Sequence, residues 1–189
     1  MCIRDRSLNR ALQNALRRIR TPIQVIHLTG AAHLPEALKS ELSLAPWYRP
    51  FGFMPMGDAY AAADLVLSRA GAATLAELTA LGLPSILIPY PYAARRHQHS
   101  NAAILEKAGA AVVLDQTNLT ARRLANAIQR LASGPALRRR MSKCALRLGR
   151  PAAAGQVAAH LAALAGFQSA NKPFAQHAHD FQTHHLQAA

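Results

Sequence analysis

An α/β fold, with a parallel sheet covered by helices on both faces, is what three features of this chain predict. Short apolar runs at residues 65–67, 85–88 and 111–114 have the character of buried strands, and residues 23–28 read as a further strand. They alternate with stretches whose apolar residues recur at helical spacing, the order that makes a parallel sheet. Hydrophobic residues make up 51% of the chain but aromatics only 5%; alanine dominates, which favours helices packed closely on a sheet. With 189 residues the chain has the length of one ordinary domain, and roughly 70% of its unfolded surface can be buried at that size.

The elements follow in order. Met1 to Arg6 fits no element and reads as a terminal stretch foreign to the fold. Leu8, Leu12, Leu16 and Ile19 mark an amphipathic helix ending near Arg20, broken by Thr21-Pro22. Ile23 to Leu28 is a strand turned at Thr29-Gly30, and Pro35 to Leu42 a short helix. Ala45 to Met56 is a strand and loop carrying Trp47, Tyr48, Phe51 and Phe53, with Trp47 and Phe51 read as packing residues. Asp58 to Asp64 is a short helix leading into the strand Leu65–Leu67. Gly71 is expected to turn the chain sharply. Leu75, Leu78 and Leu81 continue at helical spacing, and Gly82 before Leu83-Pro84 reads as a helix stop. Ser85 to Ile88 is a strand, and residues 93–100 form a polar loop. Asn101 to Ala108 is a helix and Ala111 to Leu114 a strand. Thr120 caps a helix with an apolar face of Leu124, Ala127, Ile128 and Leu131. Leu137 to Leu148 is a basic helix and Ala152 to Ala165 an Ala-rich one. Residues 166–189 are polar, His-rich and aperiodic, and read as a disordered tail. His177, His179, His184 and His185 lack Cys or acidic partners at ligand spacing, so no metal site is assigned.

The net charge is +13, concentrated in two zones. Residues 1–20 carry six Arg and one Asp, and residues 95–150 carry twelve basic and two acidic groups; residues 21–94 are slightly acidic, with three basic and five acidic groups. Such zones attract phosphates or an anionic membrane surface, and a solvated Arg-rich helix face has the same composition. The longest apolar runs are broken by charges or Pro, so no transmembrane helix is predicted. No secretory signal is evident, and Cys2 and Cys144 read as free thiols of a cytosolic protein.

The stretch 65–82 organises the chain: a strand, a small-residue turn and a helix N-terminus. Free backbone N–H groups and the positive end of the helix dipole converge there, which suits a phosphate. Arg69 in the turn is a second candidate phosphate partner. Glu77, one turn into the helix, can accept two sugar hydroxyls. Thr74-Leu75-Ala76-Glu77 also fits a capping box, in which both side chains only satisfy helix-end donors. Ligands of parallel sheets bind at the carboxyl ends of strands. Three of the four such ends here carry polar or aromatic groups, which favours the ligand reading.

Residues 62–77, Ala-Ala-Asp-Leu-Val-Leu-Ser-Arg-Ala-Gly-Ala-Ala-Thr-Leu-Ala-Glu, closely resemble the donor-site segment of the MurG family. Similar too are Gly82-Leu83-Pro84-Ser85-Ile86-Leu87-Ile88-Pro89-Tyr90-Pro91, then His97-Gln98 with Asn101-Ala102, then Leu105 to Ala111. The resemblance covers about residues 7–165, its specific motifs lying between 53 and 111. It implies the Rossmann-like C-terminal half of a GT-B glycosyltransferase. Such inverting enzymes move N-acetylglucosamine from UDP-N-acetylglucosamine to undecaprenyl-pyrophosphoryl-N-acetylmuramoyl-pentapeptide, turning lipid I into lipid II in peptidoglycan synthesis. They work at the cytoplasmic side of the bacterial inner membrane as peripheral proteins.

The same resemblance implies a substrate-binding stretch of Ala72, Ala73, Thr74, Leu75, Ala76 and Glu77. Backbone amides would meet the donor, Arg69 the diphosphate region, and Glu77 the ribose hydroxyls. Gln98 with His97 would contact the sugar, and Phe53 or Met54 would lie against uracil. No metal or other cofactor is implied. Three departures stand out. Met1 to Arg6 occupies the place of the family's Gly-Gly-Ser-x-Gly loop, the acidic pair common before Met56 is missing, and Arg95 and Arg96 replace a more polar pair. The acceptor domain is also missing, and with it the expected catalytic base and the route to the undecaprenyl-linked acceptor. The chain thus reads as a truncated enzyme, inactive alone. Two rival readings are another GT-B enzyme, such as a UDP-N-acetylglucosamine epimerase, and a basic nucleic-acid-binding module. The first lacks acid–base carboxylates in 85–111 beyond Glu106. The second lacks a recognition helix or stacking platform, so nucleic acid is not expected as a partner.

Overall fold

In a computed structural model, residues 5–93 and 97–165 are described. Helices and strands alternate as far as α6, after which two more helices follow: α1 (Arg6–Leu16), β1 (Val25–Leu28), α2 (Leu34–Leu38), β2 (Tyr48–Phe51), α3 (Met56–Ala61), β3 (Val66–Ser68), α4 (Ala72–Ala80), β4 (Ser85–Leu87), α5 (His97–Lys107), β5 (Ala111–Val113), α6 (Ala121–Ala132), α7 (Pro135–Leu148) and α8 (Ala153–Leu164). Every described pairing is parallel, as expected. The described strands form two ladders rather than one sheet: β1 beside β2, and β3-β4-β5 with β4 central. Two compact units divide the chain, Met1–Gly149 and Arg150–Ala189, so α8 stands in the second. In that unit α8 exposes Val157, Leu161 and Leu164.

Alternation along β4 builds two layers in the first unit. Ile86 and Ile88 pack with Ala15 of α1 and with Leu124, Ile128 and Leu131 of α6. Leu87 points the other way, into a cluster with Leu75 and Leu78 of α4, Ala102 and Leu105 of α5 and Ala145 of α7. A central parallel strand must be apolar on both faces, which is why Ser85–Ile88 reads as an unbroken run. Small residues at the contacts let the helices sit close to the sheet. Trp47 packs at the edge of a third cluster formed by Leu16, Leu42 and Tyr48.

Helix ends follow local chemistry. Thr120 Oγ1 accepts the Arg123 N–H at 3.2 Å, capping α6 as predicted. Gly82 has φ +66°, and the bonds Gly82 N–H to Thr79 O (3.3 Å) and Leu83 N–H to Leu78 O (2.9 Å) close α4. At the start of the chain the expectation is corrected. Asp5 caps α1, accepting the Leu8 N–H at 2.9 Å, and Arg6 is the first helical residue, so both belong to the first helix of the fold. The first basic zone is partly neutralised on the surface, where Arg6 and Arg10 face Glu36 and Arg17 faces Glu41. Arg139, Arg140, Lys143 and Arg147 of α7 are exposed. Among the described residues no helix is long and apolar enough to cross a membrane. Cys144 is a free, half-buried thiol. Cys2, Arg95, Arg96 and the His-rich stretch 166–189 lie outside the described residues.

Candidate functional site

The β3 strand delivers the chain to the N-terminus of α4 at the carboxyl edge of its ladder. Gly71 is the N-cap, with φ −70° and ψ 144°. That is ordinary extended backbone, so the sharp turn expected of glycine is not used. Space matters here instead: a Cβ on Gly71 would meet only Thr74 Oγ1, at 3.9 Å. The first intrahelical bond is Leu75 N–H to Gly71 O at 3.0 Å. The amides of Ala72 and Ala73 precede it in the first turn, where an α-helix leaves N–H groups without an acceptor within the helix. Ala72, Ala73, Ala76 and Glu77 are exposed, while Thr74 and Leu75 are buried.

The capping-box alternative is corrected by this register. Thr74 is the third helical residue rather than the cap, and the Glu77 carboxylate has a different partner. Tyr60 of α3 donates its hydroxyl to Glu77 Oε2 at 2.8 Å. Its ring is only 7% exposed and belongs to the α4–α5–α7 core cluster. Burial first, and then the hydrogen bond and negative charge of Glu77, push the phenol well above its ordinary value, so the hydroxyl remains a donor.

Arg69 is corrected as well. Its side chain is buried, and its guanidinium is ion-paired with Asp5 through Nε. Nη1 donates to the carbonyls of Ile88 (3.0 Å) and Pro89 (3.2 Å), and Nη2 to Ser7 Oγ (3.2 Å). The Tyr90 ring lies 5.4 Å from the guanidinium carbon. Fixed donors matched to buried acceptors make Arg69 a tie between α1, β3 and the segment after β4, not a group facing the α4 N-terminus. Burial by itself would raise the Asp5 carboxyl; hydrogen bonds from Arg69, Ser7 and the Leu8 amide outweigh it and hold the group below its ordinary value.

The remaining candidates sit at neighbouring strand ends. Gln98 and His97 lie in the first turn of α5, where a loop was expected. Gln98 Oε1 accepts the Tyr90 N–H at 2.9 Å, which ties α5 to the segment after β4. His97 is exposed. Asn101 Nδ2 reaches the Ala70 carbonyl at 3.4 Å, linking α5 to the β3–α4 turn. Phe53, after β2, is 72% exposed and Met54 is half-buried. The structure thus ties α5 and α3 to the β3–α4 turn and α4, but removes Arg69 from the set. Tyr60 escaped the sequence reading, because it belongs to no local motif and its partner lies 17 residues away; Asn101 stood in the motif beside His97-Gln98 but was given no role, its partner lying 31 residues away. Among the described residues no group of three His, Cys, Asp or Glu could hold a metal ion.

Residues 4–157 match the family model described as glycosyltransferase family 28 C-terminal domain. A protein of Sorangium cellulosum named UDP-N-acetylglucosamine–N-acetylmuramyl-(pentapeptide) pyrophosphoryl-undecaprenol N-acetylglucosamine transferase is 47% identical over 165 residues, covering 84% of this chain and 41% of its own length. A relative of the same name from Halothermothrix orenii is 45% identical over 136 residues, 68% of this chain and 37% of its own. Among solved structures, MurG of Acinetobacter baumannii superposes with a TM-score of 0.73 at 30% identity, over 80% of this chain and 46% of that one. The calicheamicin glycosyltransferase CalG4 gives a TM-score of 0.57 at 25% identity, over 84% and 39%. The chain spans about two fifths of the length of the relatives it matches.

Proposed function

Because the chain belongs to the glycosyltransferase family 28 C-terminal domain family, we propose that it is the donor-binding half of a GT-B hexosyltransferase. Its reaction would be that of the named relatives: transfer of N-acetylglucosamine from UDP-N-acetylglucosamine to undecaprenyl-pyrophosphoryl-N-acetylmuramoyl-pentapeptide in peptidoglycan synthesis. One observation carries the reading. The α4 N-terminus opens over Gly71, and an exposed carboxylate, Glu77, stands one turn further along the same helix. Amides and carboxylate at that spacing suit the two ends of a ribose diphosphate.

The chemistry follows from that placement. The acceptor hydroxyl displaces the diphosphate at the anomeric carbon, inverting it. Charge develops on the departing diphosphate, and the amides of Ala72 and Ala73 stabilise it at the positive end of the helix dipole. Phe53 and Met54 offer an apolar surface for uracil, and His97 with the free amide end of Gln98 faces the sugar. The group that activates the acceptor hydroxyl is assigned to the part of the relatives that this chain does not span, so donor binding without transfer is expected of the chain alone. The exposed basic residues of α7 suit an anionic membrane surface at the cytoplasmic face.

Calorimetric titration with UDP-N-acetylglucosamine tests the site. Glu77→Ala is expected to weaken binding at least about tenfold, the loss of hydrogen bonds to a charged acceptor. Equal affinity in the two proteins removes Glu77 from the site.

A further inference from the structure

A glutamate on an exposed helix face has three rotatable side-chain bonds, and ordering it costs conformational entropy. In this protein that order is built in before any ligand arrives. The Tyr60 ring is locked in the core beside Leu75, Leu78 and Leu105, and its hydroxyl reaches out of that core to one oxygen of Glu77, Oε2. The donor comes from α3 and the acceptor from α4, two helices separated by β3. An ionised carboxylate only accepts hydrogen bonds and has about four lone-pair sites. One is taken by Tyr60. That leaves Oε1 and the second lone pair of Oε2, acceptors enough for two adjacent hydroxyls.

We propose that Tyr60 is a positioning residue for donor binding: its buried hydroxyl holds the Glu77 carboxylate in the orientation that receives the vicinal diol of a nucleoside diphosphate. This rests on the donor-site reading given above and adds to it a residue that touches no ligand. The burial that keeps the ring fixed also keeps the phenol protonated, because burial and the neighbouring carboxylate both raise its ionisation. The donor is therefore present at every pH at which the protein is folded and the carboxylate charged.

The test compares UDP with 2′,3′-dideoxy-UDP on the full chain, by calorimetry, for wild type, Tyr60→Phe, Glu77→Gln and the double variant. Phe keeps the ring in the core, and binding of the dideoxy nucleotide reports in each case that the site is folded. Tyr60→Phe is expected to raise the Kd for UDP about three- to tenfold, the worth of one hydrogen bond. It should leave the Kd for the dideoxy nucleotide within about twofold, and add nothing further in the Glu77→Gln background. A purely structural role for Tyr60 would weaken both nucleotides alike, and that result overturns the proposal. Selective loss of UDP binding in Glu77→Gln but not in Tyr60→Phe overturns the positioning role while leaving the ribose contact intact. No selectivity in Glu77→Gln overturns the ribose contact itself, and the positioning role with it.

Discussion

Acidification from pH 7 to pH 4 is expected to remove about 3 kcal/mol of folding stability through one residue, His27. The imidazole is 5% exposed on β1. Its Nδ1 lies 2.6 Å from the Tyr48 hydroxyl and its Nε2 3.1 Å from Asn9 Oδ1. Asn9 Nδ2 donates to the Thr29 carbonyl at 3.0 Å, which turns Oδ1 toward the ring as an acceptor. The neutral tautomer with a proton on Nε2 satisfies every member, Tyr48 donating to Nδ1. A second proton would displace the Tyr48 donor and place a charge in a buried site. Burial accordingly pushes the imidazole down from 6.5 to about 4. The sign is that of a depressed base. Between pH 4 and 6.5 the unfolded chain binds the proton and the folded chain does not, so stability is fully present above about 6.5 and falls with the pH below it. The assay is urea unfolding at pH 7 and pH 4 for wild type and His27→Gln, followed by circular dichroism. The pH-dependent loss should be about 3 kcal/mol smaller in the variant. A His27 ring that titrates near 6.5 in the folded protein by NMR, or equal losses in the two proteins, refutes the reasoning.

Two further perturbations test the frame around the site. Arg69→Met leaves Asp5 buried without its cation and strips a donor from the Ile88 and Pro89 carbonyls. A loss of about 3–5 kcal/mol in urea unfolding is expected, and a loss below about 1 kcal/mol would show that the buried pair is not formed. Gly149→Ala would set a Cβ 2.6 Å from the Thr79 carbonyl oxygen, a backbone atom that cannot swing aside. About 1–3 kcal/mol should be lost, and an unchanged melting midpoint would mean that the ends of α4 and α7 are not in contact.

Residues 62–111 announced the strand, turn and helix N-terminus because their physics is local. The apolar run at 65–67, small residues after it and a 3.6-residue period to Gly82 specify a strand, a turn and a helix N-terminus without reference to distant parts of the chain. Gly82 read correctly as a helix stop for the same reason, since a left-handed residue closes the helix within its own last turn. Thr120 read correctly because a cap and its amide are three residues apart.

What a linear reading could not reach were the partners. Arg69 stands in the turn beside a helix N-terminus, where its charge suggests a phosphate ligand; whether its guanidinium points there depends on Asp5, 64 residues away in sequence. The capping box was a sound local pattern, but the helix began three residues earlier, and Tyr60 had already claimed Glu77. Composition and periodicity thus sufficed for the elements, their parallel order and the helix end that a phosphate would meet. Which charged side chains remain available to a ligand, and which are consumed in holding the fold, was settled by packing. A side chain's hydrogen bonds go to whatever the tertiary structure brings within 3 Å, and local sequence carries no record of that neighbour.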